Sequence, residues 1–286
     1  MPTPFDEGEV DAAAIRHNIG RWMSAGLGGA LVLGTNGEAP LLDEDEADRV
    51  VDAARQAVPR DRTLLVGAGR ESTRATIAAV RRAGALGADA VVVRTPSFFR
   101  AHVPPSALVT HYLAVADASP VPILLYNYPA FTGVNLTPEI VGRLAEHRNV
   151  AGIKETSTDG AQFADLAGVV PDRFTILSGS APGCYAALCA GARGAILAVA
   201  CIAPAECLQL LQWTLAGRLA DALALQQRLT PLGRAVTTGF GIAGLKAALD
   251  LAGYEGGDPR PPLGPLASEG IEKIRTLLEA IHAPTT

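Results

Sequence analysis

Short, continuous apolar runs alternate with longer stretches of helical periodicity along most of the chain. The runs are GALVLG (29–34), TLLVGAG (63–69), AVVVRTP (90–96), PILLYNYP (122–129), VAGIKET (150–156), FTILSGS (174–180) and GAILAVA (194–200). Between them lie Ala-, Leu- and Arg-rich segments such as DEDEADRVVDAARQAV (43–58) and STRATIAAVRRAGALG (72–87). A strand buried on both faces is apolar throughout, so these runs predict a parallel sheet covered by helices. The acidic start of 43–58 suits a helix N-terminus, and Gly84 and Gly87 mark the close of 72–87.

Seven strand-then-helix units in one chain favour a (β/α)8 TIM barrel over an open, doubly wound sheet. After Ala203 the strands stop. Residues 204–253 and 267–283 read as helices, separated by the turn-rich GYEGGDPRPPLGP. The expected division is therefore a catalytic barrel over 1–217 and a C-terminal helical extension over 218–286. A closed barrel needs an eighth strand, and only two residues precede TPF (3–5), so either the sequence starts too late or the first strand is incomplete.

Composition narrows the function classes. Hydrophobic residues make up 49% of 286 positions and charged residues 19%, ample material for a large core. A net charge of −5 gives no electrostatic reason to expect nucleic acid or an anionic membrane as partner. The apolar runs are too short to span a bilayer, and the N-terminus carries no signal pattern. Cys184, Cys189, Cys201 and Cys207 lack C-x-x-C spacing and read as small core residues of a reduced, cytoplasmic protein. The five histidines are scattered without ligand spacing, so no metal is expected.

In a barrel of this kind the chemistry sits at the C-terminal ends of the strands. Lys154, at the end of VAGIKET, is the residue that stands out. One reading is a strand-end lysine that snorkels to the rim and pairs with an acid. Glu155 is not that acid, because neighbouring side chains on a strand point to opposite faces. The other strand ends offer mostly Thr, Asn, Tyr and Ser. Burial in such a weakly acidic cavity disfavours an ammonium, and a neutral amine there can attack a carbonyl to form a Schiff base. Tyr126, on the preceding strand, is either a packed aromatic or a proton donor and acceptor beside that imine. GTNGE (34–38) could gather the N–H groups of Thr35 and Asn36 around a carboxylate, and it lacks the lysine of a P-loop. GAGRES (67–72) imitates a dinucleotide fingerprint, but Ser72 replaces the third glycine and Asp89 precedes its strand, which argues against an oxidoreductase.

Taken together, TPF, GTNGE, YNYP…TG and GIKETS resemble, in order and over nearly the whole chain, the dihydrodipicolinate synthase/N-acetylneuraminate lyase superfamily of class I aldolases. The resemblance implies that Lys154 forms a Schiff base with pyruvate or another 2-oxo acid and that Tyr126 shuttles protons. It implies that Thr35 and Asn36 hold the 2-oxo acid carboxylate and that Gly179 and Ile196 line the same pocket. It also implies no cofactor, an aldehyde as co-substrate and a homotetramer built from tight dimers. Several stretches look most like 4-hydroxy-2-oxoglutarate aldolases: GTNGE, ALVTHYLAVADASPVPILLYNYPAFTG and FGIAGLK…GYEGG.

Three departures separate the chain from its relatives. Phe131 stands where dihydrodipicolinate synthases have an arginine for the aldehyde's carboxylate. SGSA (178–181) lacks the acidic residues that sialic acid lyases use. Phe98 and Phe99 replace tyrosines, one of which enters the neighbouring subunit's site in relatives. Arg94 could offer a second carboxylate an alternative clamp, but the preferred reading is an outward arginine packed between helices. The expected activity is a Schiff-base aldolase on a pyruvate-containing aldol. The alternatives are a 2-oxo-3-deoxy-sugar-acid dehydratase or aldolase, dihydrodipicolinate synthesis, and a non-catalytic 2-oxo-acid binder.

Overall fold

All seven apolar runs are strands. In the computed structural model, which describes residues 1–282, they are β3 (Gly29–Val32), β4 (Thr63–Gly67), β5 (Ala90–Arg94), β6 (Ile123–Asn127), β7 (Val150–Glu155), β8 (Thr175–Ser178) and β9 (Gly194–Ala195). They follow one another through a single sheet in strict chain order, and every pairing from β4 to β9 is parallel. An open doubly wound sheet reverses its strand order at a switch point, and this one never does. The fold is of the (β/α)8-barrel class with a C-terminal helical extension. Ahead of the sheet a two-residue hairpin, β1 (Phe5–Asp6) with β2 (Glu9–Val10), was not signalled by the sequence pattern. Residues 1–4 carry no strand assignment, although the Met1 nitrogen donates to the Leu31 carbonyl at 2.6 Å.

The helices are α1 (Ala12–Ser24), α2 (Glu44–Ala57), α3 (Thr73–Ala85), α4 (Pro105–Ala118), α5 (Pro129–Thr132) and α6 (Pro138–Ala145). They continue as α7 (Gly160–Val169), α8 (Cys184–Cys189), α9 (Pro204–Leu215), α10 (Leu219–Arg234), α11 (Gly241–Leu251) and α12 (Ser268–His282). Position 283, at the predicted end of the last helix, lies outside the described residues. Helix α2 starts where its acidic cluster predicts, on a reciprocal cap in which Asp43 accepts from the Glu46 N–H and Glu46 accepts from the Asp43 N–H. Ser72 caps α3 through the Ala75 N–H.

The chain clusters into two compact units, residues 65–196 and residues 1–64 with 197 onward. The core of the 65–196 unit is built from strand residues that bury both of their faces, among them Val91, Val93, Ile123, Leu125 and Ile153. In the other unit, α10 and α11 pack on α12, which contributes the buried Ile274, Leu278 and Ile281. Two cysteines depart from expectation: Cys189 is exposed and Cys207 half-buried, while Cys184 and Cys201 are core residues. Burial pushes the Cys184 thiol up to about 12, which makes it inert at neutral pH. No helix among the described residues is long and apolar enough to cross a membrane.

Candidate active site

Strands β6 and β7 pair with Tyr126 opposite Lys154 and Asn127 opposite Glu155. In-register residues of neighbouring parallel strands point to the same face, so Tyr126 and Lys154 share one face and Asn127 and Glu155 the other. Lys154 is only 8% exposed, and its Nζ lies 4.1 Å from the centre of the Tyr126 ring. No carboxylate among the described residues comes within ion-pair distance of that amine, which separates it from an ordinary rim lysine.

Gly179 belongs to the same spot for a steric reason. A Cβ there would sit 2.2 Å from Thr156 Oγ1 and 3.0 Å from Lys154 Cε, so the missing side chain is what admits the lysine. The Gly179 N–H donates to the Glu155 carbonyl at 2.7 Å, and the Ile196 N–H donates to the Ser178 carbonyl at 2.8 Å. Lys154, Tyr126 and Gly179 are thus brought together, and Ile196 is tied to the strand that ends beside Gly179. Thr35 and Asn36 lie in the other compact unit, half-buried in a single 3-10 turn (Thr35–Gly37) that follows β3. That turn uses the N–H groups of Gly37 and Glu38 on the carbonyls of Gly34 and Thr35.

Several residues around the lysine escaped the sequence reading. Glu155 is fully buried, and its carboxylate accepts from Asn127 Nδ2, Gln162 Nε2 and the Ser157 N–H, each at 2.7 Å. Asn127 also donates to Asn135 and accepts from the Leu136 N–H. This network lies on the face opposite Lys154 and fixes the ends of β6 and β7 relative to one another, and with them Tyr126 and Lys154. Thr156, two residues beyond Lys154 and on its face, has a buried hydroxyl with no partner among the described residues. Strand alternation was the available signal for Thr156; for Glu155 it gave the face but not the partners.

Beyond Tyr126 the aromatic surface continues. Tyr128 stacks on Tyr126 with ring centres 6.0 Å apart and lies tilted against Phe131 at 4.5 Å. Burial, reinforced by the neighbouring Tyr126, pushes the Tyr128 phenol up to about 12, so it stays a neutral donor. Phe98 and Phe99 are 77% and 65% exposed and pack edge to face at 4.9 Å.

A parallel α/β sheet with an uncompensated lysine at a strand end is the arrangement of a class I carbon–carbon lyase, in which an amine carries the chemistry as an imine. The chain belongs to the Dihydrodipicolinate synthetase family, which it matches over residues 1–281. It is 32% identical to the 4-hydroxy-tetrahydrodipicolinate synthase of an Exiguobacterium species, covering 99% of this chain and 96% of the relative. The corresponding enzyme of Syntrophus aciditrophicus is 34% identical, covering 97% and 94%. Among solved structures, dihydrodipicolinate synthase from Thermotoga maritima superimposes with a TM-score of 0.94 at 32% identity, covering 98% of this chain and 96% of that one. A prophage protein of the same family from E. coli K12, solved in complex with pyruvate, gives a TM-score of 0.91 at 31% identity, covering 98% and 96%.

Proposed function

We propose that the protein makes or breaks the carbon–carbon bond of a pyruvate-containing aldol through an imine on Lys154, with 4-hydroxy-2-oxoglutarate as the favoured substrate. The observation that carries this reading is the buried amine of Lys154, free of any acid among the described residues and 4.1 Å from the centre of the Tyr126 ring. In the cleavage direction the amine attacks the 2-oxo carbon and water leaves, giving an iminium. Removal of the proton from the 4-hydroxyl lets the C3–C4 bond break, and its electron pair is taken up by the iminium as an enamine. The aldehyde departs, the enamine gains a proton at C3, and hydrolysis returns pyruvate and the free lysine. Tyr126 is the proton carrier in this scheme, a role for which positioned side chains contribute about 10²–10⁴-fold. For Thr35 and Asn36 as holders of the 2-oxo acid carboxylate, the support is the family motif GTNGE.

Dihydrodipicolinate synthesis is the second reading, supported by the activity named for the relatives. Against it stands Phe131, an exposed aromatic set against Tyr128 where the family resemblance calls for an arginine. The exposed Phe98–Phe99 pair supports the oligomer that the family resemblance implies, and light scattering on the purified protein measures its mass directly. Pyruvate release across a panel of aldol 2-oxo acids tests the main reading. Fastest release from 4-hydroxy-2-oxoglutarate is the expected result. Efficient product formation from pyruvate and aspartate semialdehyde would favour the second reading instead.

A further inference from the structure

Arg94, at the end of β5, is placed by register rather than by exposure. Arg94 pairs with Tyr126 across β5 and β6, as Tyr126 pairs with Lys154 across β6 and β7. All three side chains therefore stand on one face, Arg94 two strand spacings from the lysine, or about 10 Å between Cα atoms. The outward arginine preferred from the sequence is ruled out by this register. Gly69 packs directly against this residue: a Cβ there would lie 2.6 Å from the Arg94 backbone nitrogen and 2.7 Å from Arg94 Cγ, so only a glycine leaves room for the Arg94 backbone and the start of its side chain.

The guanidinium is anchored on one side only. Nη1 donates to Glu71 Oε1 at 2.7 Å and to the Thr95 carbonyl at 3.1 Å. Nη2 and Nε have no partner among the described residues, and the side chain is 30% exposed, open to a soluble ligand. Glu71 is itself held by the N–H groups of Ser97 and Phe98, both at 2.9 Å. Burial alone would raise the Glu71 carboxyl, but the Phe98 and Ser97 N–H groups and Arg94 together keep it below the usual carboxylate range. It thus stays ionised and keeps the arginine in place. The free Nη2–Nε edge is a planar two-donor fork, the geometry that matches a carboxylate.

We propose that Arg94 is a specificity-determining residue whose free guanidinium edge takes a second carboxylate, so that the site prefers dianionic 2-oxo acids. The proposal rests on the reading of Lys154 as the imine-forming lysine. On that reading Arg94 supplies from β5 the positive charge that Phe131 does not. It also makes a short-chain dianion such as 4-hydroxy-2-oxoglutarate the fitting substrate class.

Borohydride trapping on Lys154 tests it without turnover, using two five-carbon 2-oxo acids that differ in the distal group. These are 2-oxoglutarate, a dianion, and 2-oxopentanoate, a monoanion, titrated against the wild-type protein, Arg94→Gln and Arg94→Lys. The wild type is expected to be half-trapped at a lower concentration of 2-oxoglutarate than of 2-oxopentanoate. Arg94→Gln should cut that preference by roughly tenfold or more, with Arg94→Lys in between, since lysine keeps the charge but not the fork. Should Arg94→Gln fail to fold, the drop in Arg94→Lys carries the test. A wild type with no preference overturns the proposal, as does a variant that weakens both acids alike, which marks Arg94 as a mere anchor for the 97–98 loop. If pyruvate itself leaves no adduct on wild-type Lys154, the imine reading fails, and the proposal falls with it.

Discussion

Two lysines are buried among the described residues, and their surroundings differ in every respect that matters. Lys246, on α11 and 1% exposed, has its Nζ 2.7 Å from Glu38 Oε1, donates to the Asp258 carbonyl at 2.8 Å and lies 4.4 Å from the centre of the Phe5 ring. Burial outweighs the attraction of Glu38 and holds this amine below the ordinary lysine value. Lys154 has an aromatic ring and a glycine beside it and, among the described residues, no acid. A buried charge is tolerated when it is paired, so the Lys246–Glu38 contact reads as architecture. An unpaired buried amine has no such structural reason to be there, and the imine role proposed for Lys154 supplies one. The number of neighbouring acids, more than the depth of burial, separates the two roles.

The sharpest way to break this comparison is to ask which lysine pyruvate finds. Borohydride with pyruvate is expected to label Lys154 and leave Lys246 untouched, and Lys154→Met should abolish both the adduct and turnover while circular dichroism stays native. Peptide mapping that locates the adduct on Lys246 would reverse the assignment of the two residues.

A step smaller is the loss of the proposed proton carrier. Tyr126→Phe keeps the ring against Lys154 and removes only the hydroxyl, so kcat should fall by about 10²–10⁴-fold with the fold intact. Phe99→Leu removes exposed packing and no proton-carrying group, and should be mild. Near-full turnover in Tyr126→Phe, or greater damage from Phe99→Leu, would mean that another group moves the proton.

The strands were legible because a strand covered on both faces has to be apolar throughout, and Lys154 was legible as the exception to that rule. The same double covering hid Glu155. Alternation sends Glu155 away from Lys154, but in this sheet the opposite face is also buried, so the carboxylate meets Asn127 and Gln162 instead of water. Arg94 was misread because its face follows from the stagger between β5 and β6, which one sequence does not state. Glu38 gave no warning of its lysine, which lies far away along the chain. The last apolar run, 194–200, looks like a full strand but contributes only Gly194–Ala195 to the sheet before the Val199–Cys201 turn.

On the structural side of the comparison, Lys246→Met should leave the Glu38 carboxylate buried without its cation, and removing one partner of a buried pair costs about 3–5 kcal/mol. Glu38 sits in the left-handed region at φ 56°, with its other oxygen accepting the Arg260 N–H at 2.8 Å, so little room exists for it to turn away. Glu38→Gln with Lys246→Met removes both charges together and should be less destabilised than Lys246→Met alone. Urea denaturation of the wild type and these two variants measures this. Equal losses in the single and double variants would mean that packing, and not charge pairing, is what the two residues supply.

The smallest expected effect concerns the ion pair next to that one. Arg260 reaches Glu46 with both arms, Nη1 to Oε2 at 2.6 Å and Nη2 to Oε1 at 2.7 Å, and also donates to the Gly8 and Leu41 carbonyls. The hydrogen bond from Arg260 is the main reason that the Glu46 carboxyl lies below its ordinary 4.5; burial opposes it, and the Asp43 N–H adds to it. A carboxyl depressed in the folded state contributes stability that is present above the unfolded pKa and lost as pH falls through the folded one. Arg260→Gln should therefore differ most from the wild type at neutral pH, and the gap should narrow as the pH drops below about 4.5. Glu46 also caps α2, a role independent of Arg260, so the variant keeps its helix start and the difference isolates the ion pair. Urea midpoints at a series of pH values give the comparison. A gap that stays constant from about pH 7 to about pH 3 would show that Arg260 stabilises through its carbonyl contacts and not through Glu46.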